Sequence, residues 1–230
     1  MKVDRERFAA WNEEMVQRYD PDLYHQHPSP IVRFIERRRV AAVLHLLDAQ
    51  NSDAILEVGC GAANVLAQVP RGTLTGMDLS DFILAKARQR MGSRATITKG
   101  DAEALPFPDA AFTKVYCTEV LEHLLTPENA LREMRRVLKP RGYAVVSIPN
   151  EALINAIKAP LVRLGIFRRL LGSQEGAYQA AEKMDDEWHL HAFDLALLRE
   201  KVAGIFRVTR LLAAPFRVLP LRYAARLDPL

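Results

Sequence analysis

The chain has 230 residues, of which 49% are hydrophobic and 26% charged, and a formal net charge of +4. That balance excludes wholesale disorder and collagen-like or coiled-coil architecture, and a chain of this size buries enough surface to fold without a disulfide or metal staple. The charge is too small to imply nucleic-acid binding by itself, and none is expected. No apolar run reaches the roughly 18 residues of a membrane span, and residues 1–7 mix charge signs where a signal peptide has an apolar core. Cys60 and Cys117 show no metal-ligand spacing, so no metal is expected and a reducing cytoplasm is the default setting.

In chain order, Phe8, Trp11 and Met15 recur at helical spacing, and 31–47 carries a second apolar stripe. Between them, 19–30 holds three prolines and reads as turn-rich. Short apolar runs at 54–58, 74–77, 95–98, 114–117 and 143–148 read as buried strands, and 64–69, 81–91 and 127–138 as helices between them. Strands alternating with helices predict crossover units and a parallel sheet covered on both faces. After Asn150 the rhythm breaks for about forty residues; 193–203 then reads as a helix and 206–212 as a last strand. The expected fold class is therefore α/β, with an N-terminal helical lid over 1–50 and a domain over 51–230 that carries an insertion at about 151–190.

The chemistry concentrates at strand ends, where open parallel sheets bind ligands. The first strand runs into Gly59-Cys60-Gly61, whose glycines permit a tight turn and close approach of a ligand. The second ends at Asp78, placed to accept ribose hydroxyls, and the third at Gly100-Asp101. A dinucleotide fingerprint wants glycine where Asn64 stands, and no Gly-Lys-Ser/Thr follows for a triphosphate. The ligand predicted has a ribose and no phosphate.

Five blocks, 56–61, 76–80, 100–108, 119–123 and 136–143, resemble in order and spacing the class I S-adenosylmethionine-dependent methyltransferases of the small-molecule branch, the ubiquinone/menaquinone methyltransferase-like group. The resemblance implies a doubly wound, mostly parallel seven-stranded sheet with one reversed strand, and S-adenosylmethionine as cofactor. It places the Gly59-Cys60-Gly61 loop under the methionine part, with Glu57 organising that loop. Asp78 would hold the ribose, with Leu79 against the adenine. Asp101 and the Ala102 amide would reach the ring, and the Cys117 and Thr118 backbone would border the sulfonium. Ala63 departs from the family's third glycine.

Methyl transfer needs a base only where the acceptor must lose a proton. The candidates are His123, which the family treats mainly as scaffold, and His189 and His191, for which a helix-entry hydrogen bond is the bland alternative. Tyr19 or Tyr24, in the proline-rich segment, would close over the cofactor. Cys117 lacks the preceding proline of a cytosine-5 nucleophile and reads as a buried small residue. The acceptor expected is a small, lipophilic molecule. The basic amphipathic stretch 159–171 is either a lid helix or a peripheral contact with the inner membrane surface, and the apolar-basic tail at 214–223 adds to the second. The alternatives are a methyltransferase acting on RNA or protein, and a non-catalytic S-adenosylmethionine-binding partner subunit.

Overall fold

The computed structural model describes residues 3–165 and 188–230; the second half of the 159–171 stretch lies outside them. Three helices open the chain: α1 (Phe8–Tyr19), α2 (Pro21–His25) and α3 (Pro30–Leu47). Pro30 sits in the first turn of α3, where its missing N–H costs nothing, and Asp48 ends the helix in a left-handed conformation. Then follow β1 (Ala54–Val58), β2 (Thr73–Asp78), α4 (Asp81–Met91), β3 (Ala95–Lys99), β4 (Phe112–Thr118), α5 (Pro127–Val137) and β5 (Leu138–Pro149). The chain closes with α6 (Glu151–Arg163), α7 (Leu195–Val202), β6 (Phe206–Phe216) and β7 (Leu219–Pro229).

The seven strands lie in the order β3-β2-β1-β4-β5-β7-β6. The first five are parallel and β7 alone runs against its neighbours, so the expected single reversed strand is present. Period-two alternation divides the sheet's side chains between its faces. Leu56, Val58, Val115 and Val146 join α5 and α7 on one side, while Ile55, Tyr116 and Val145 meet Val43, Leu46 and Leu47 of α3 and Leu84 and Ala87 of α4 on the other. Burying each such aliphatic side chain contributes about 1.5–3 kcal/mol. In register, Val58 pairs with Met77 and Cys117, and Asp78 pairs with Lys99, so the ends of β1 to β4 share one edge.

Three expectations need correction. The helix expected over 64–69 shrinks to a single tight turn at Leu66–Gln68, because the preceding loop through Ala63 uses up the residues that would start it. The turn-rich segment contains α2, which Pro21 can open because a first-turn proline sacrifices no helical bond. The last strand does not stop at 212: it extends to Phe216, turns, and returns as β7, so the tail of the chain is inserted between β5 and β6. Apolar Leu221, Tyr223, Ala225 and Leu227 alternate with Arg222, Arg226 and Asp228, which fits a strand, with Ala225 and Leu227 facing one core and Ala224 the other.

Candidate functional site

The loop leaving β1 holds three consecutive odd positions in the left-handed region: Gly59 at φ +70°, Gly61 at +51° and Ala63 at +60°. Glycine adopts that region freely, whereas Ala63 carries about 1–2 kcal/mol of strain there. A Cβ on Gly59 would lie 2.4 Å from Val120, so the turn itself needs glycine. At Gly61 the nearest atom to a Cβ is Ile83 Cγ1, 4.0 Å away, leaving open space above the backbone. The loop is pinned from the side by Asp78, whose Oδ2 accepts the Gly61 N–H at 2.9 Å and whose Oδ1 accepts the Ser80 N–H at 3.1 Å. Burial pushes the Asp78 carboxyl up, against the pull of these backbone bonds. Asp101, at the next strand end, accepts the Glu103 N–H at 2.9 Å and pairs with Arg5 at 2.8 Å.

These loops form one end of a cavity of about 250 Å³ whose walls include α1, α3, the β4 loop and the segment around Trp188. Of the residues singled out above, Glu57, Gly59, Cys60, Gly61, Asp78, Leu79, Asp101, Ala102, Thr118, His123 and His189 all line it. Tyr19, Cys117 and His191 do not. Tyr19 stacks behind Trp188, with ring centroids 5.8 Å apart. Cys117 is buried in the sheet core, where desolvation raises its thiol well above the ordinary value. His191 hydrogen-bonds the Leu124 carbonyl, ahead of α5, at 2.9 Å.

Beneath the loop, Glu57 is fully buried and accepts the Tyr116 hydroxyl at 3.0 Å; burial outweighs that bond and raises its carboxyl to about 8. It is therefore neutral near pH 7. Beside it runs a polar chain that sequence reasoning missed. Glu36 and Arg39 of α3 pair at 2.9 Å, Arg39 donates to Ser147 Oγ at 3.0 Å, Ser147 donates to Glu119 at 2.9 Å, and Arg222 of β7 donates to Glu119 at 2.7 Å. Burial favours protonation of Glu36, but Arg39 outweighs it and holds the carboxyl at about 2. Glu119 itself has φ +53°, uncommon outside glycine and a mark of strain held at a functional edge. Arg222, expected in a membrane-facing tail, points instead into this network. The usable signal was Glu36 and Arg39 three apart on an otherwise apolar helical stripe.

At the far wall His123 stacks on Trp188 at 4.3 Å and meets His189 edge-on at 4.7 Å. Its Nδ1 lies 3.2 Å from the Trp188 carbonyl, and desolvation together with His189 lowers it to about 3, so it is neutral. Glu122, next to it, is buried, and desolvation first and Glu119 second push its carboxyl up.

The cavity thus joins a glycine cradle, two strand-end carboxylates and a polar far wall, which suits a nucleoside at one end and a second small molecule at the other. Residues 56–146 match the family described as a methyltransferase domain. An uncharacterized methyltransferase of Schizosaccharomyces pombe is 36% identical over 108 residues, covering 41% of this chain and 39% of that protein. The demethylmenaquinone methyltransferase of Staphylococcus epidermidis is 34% identical over 149 residues, covering 60% and 62%. The chain matches less than two thirds of the length of these curated relatives. Among solved structures, the N-methyltransferase NodS of Bradyrhizobium japonicum, in complex with S-adenosyl-L-homocysteine, superposes with a TM-score of 0.59 at 18% identity over 88% of this chain and 89% of that one, a likeness of fold. Residues 56–146 thus carry a match to methyltransferase domains, on a seven-stranded fold of the kind seen in NodS.

Proposed function

We propose that this chain transfers the methyl group of S-adenosylmethionine to a small acceptor held in the far half of the cavity. The observation that carries the reading is the open space above Gly61, bounded by Asp78 and Asp101 at adjoining strand ends. When bound, the cofactor supplies a methyl group already activated on a sulfonium. The protein's share is to bind, align and exclude water. The Gly59-Cys60-Gly61 backbone would carry the methionine part, with the neutral Glu57 bracing the loop from below. Asp78 would accept the ribose hydroxyls, Leu79 and Ala102 would enclose the adenine, and Asp101 would accept its amino group. The Thr118 end of β4, with the Cys117 backbone behind it, would border the sulfonium. His123 and His189 stand where the acceptor approaches, and residues 1–50 close the cavity as a lid through Phe8, Asn12 and Val16.

Calorimetric titration with S-adenosylhomocysteine, run beside NAD, tests this directly. Micromolar binding of the first and none of the second is the expected result; no binding of S-adenosylhomocysteine overturns the assignment.

A lipophilic acceptor delivered from a membrane surface is the second part of the proposal. It is supported by α6, which exposes Ile157 beside Lys158 and ends in Arg163 and the 71% exposed Leu164, the start of the basic amphipathic stretch. No described helix is long and apolar enough to cross a membrane. Co-sedimentation with anionic vesicles, reversed by salt, is expected. Displacement by RNA with no vesicle binding at low salt would favour a macromolecular acceptor instead.

A further inference from the structure

On the cavity wall, Glu122 and His123, which follow β4, meet His189, which enters from the segment ahead of α7. One ligand atom from each lies within 4.8 Å of the others. We propose that Glu122, His123 and His189 form a site for a divalent transition-metal cation, facing the space assigned to the acceptor. The proposed methyl transfer does not require such a cation, and the cysteine spacing led to the expectation of none.

Two features point to it, and a third holds the two segments in place. Glu122 is only 1% exposed, yet its Oε2 has no hydrogen-bond partner among the described residues. A buried carboxyl oxygen without a partner is expensive whether or not the group carries its proton, and a cation that takes the proton's place relieves it. Next, each imidazole is oriented through Nδ1. His123 Nδ1 lies 3.2 Å from the Trp188 carbonyl and His189 Nδ1 lies 3.1 Å from Glu151 Oε1. Donation from Nδ1 to a carbonyl or carboxylate is how proteins set a metal-ligating histidine, because it leaves the lone pair on Nε2. Finally, the two segments are tied together at the main chain: the Glu122 carbonyl accepts the Leu190 N–H at 2.8 Å and the His191 N–H at 3.2 Å.

Two imidazoles and one carboxylate select zinc or its first-row neighbours over magnesium or calcium, which prefer all-oxygen shells. Ligands about 2 Å from a tetrahedral cation stand about 3.3 Å apart, so the three side chains must draw together from the present 4.8 Å limit as the cation binds. Three protein ligands leave a coordination position open, as in catalytic rather than structural sites. That position faces the cavity, where an oxygen of the acceptor can take it. Glu119 stays outside the set because Ser147 and Arg222 already engage its carboxylate.

The test uses the full chain, stripped with a chelator and titrated with Zn²⁺ by calorimetry and with Co²⁺ by its visible absorption. One equivalent per chain is expected, with a cobalt spectrum of low coordination number. Glu122→Gln and His189→Ala should each weaken binding by at least about tenfold, while Glu122→Asp, which keeps a carboxylate, retains most of it. His45→Ala, an exposed histidine on α3, should change nothing. Cooperative thermal unfolding of every variant confirms that it folds. Absence of one-equivalent binding in the parent chain overturns the site, as does unchanged affinity in folded Glu122→Gln and His189→Ala. Titration of the same samples with S-adenosylhomocysteine reports on the methyltransferase assignment separately.

Discussion

Arg39 of α3 and Glu119 at the end of β4 are joined through one hydroxyl: Ser147 Oγ lies 3.0 Å from Arg39 Nη1 and donates to Glu119 at 2.9 Å. The N-terminal helices are thereby locked to the centre of the sheet by polar bonds as well as by the apolar stripe of α3. Because Ser147 is fully buried, water cannot replace the hydroxyl cheaply. Ser147→Ala should lower the free energy of unfolding by about 1–3 kcal/mol, read by urea denaturation. A loss within experimental error would mean that the bridge is ornamental.

Glu36 offers a sharper case with a definite pH sign. Its carboxyl is held at about 2 in the folded protein against an ordinary 4.5, so its contribution is complete above pH 4.5 and is lost as pH falls toward 2. Removing the carboxylate also strands the buried Arg39 guanidinium. Glu36→Gln should cost about 3–5 kcal/mol at pH 7. The gap to the parent chain should narrow steadily between pH 4.5 and the acid limit of folding. A gap that does not depend on pH would show that the charge is not what holds the pair.

Much of this was legible beforehand. The strands from β1 to β5 show as apolar runs, and the loop glycines with Asp78 and Asp101 show as punctuation at strand ends. The misses have physical causes. Arg222 belongs to a strand pairing that no local pattern encodes, and beside Leu219 and Leu221 it looks like surface chemistry until β7 is seen between β5 and β6. Tyr19 reaches the cavity only through Trp188, on which helix phase stacks it, a contact that local spacing does not reveal. The convergence of Glu122, His123 and His189 depends on a backbone contact across the sheet edge, which spacing along the chain does not reveal.

Glu57 has the opposite pH sign. Burial holds its carboxyl at about 8, with Tyr116, Arg39 and Asp78 as the polar groups that act on it. The folded state therefore keeps a proton that the unfolded chain releases near 4.5, so this group subtracts stability as pH rises from 4.5 through 8. Glu57→Gln keeps an acceptor for the Tyr116 hydroxyl and removes the ionisation. Its melting temperature relative to the parent should rise across that window, by an amount on the order of a few kcal/mol in stability at the alkaline end. A constant difference from pH 5 to pH 8 would refute the neutral carboxyl.

Asp78 secures the Gly61 amide and, in the proposed function, the ribose. Asp78→Asn keeps the shape and one acceptor oxygen but loses the charge and one bond. It should weaken S-adenosylhomocysteine by about 1–3 kcal/mol in calorimetry, the cost of leaving polar groups unpaired. Unchanged affinity would remove Asp78 from the cofactor site and leave it as a loop brace.

The two loop glycines separate folding from binding. At Gly59 a methyl group meets Val120 at 2.4 Å, a clash inside the protein, so Gly59→Ala should destabilise the fold with or without ligand. At Gly61 the same methyl meets nothing closer than 4.0 Å, so Gly61→Ala adds only the left-handed backbone cost of about 1–2 kcal/mol. The added carbon would stand in the space assigned to the cofactor. Gly61→Ala should therefore lose S-adenosylhomocysteine affinity out of proportion to its small drop in melting temperature. If Gly61→Ala instead binds as the parent chain does, the cradle above this glycine is not where the cofactor lies.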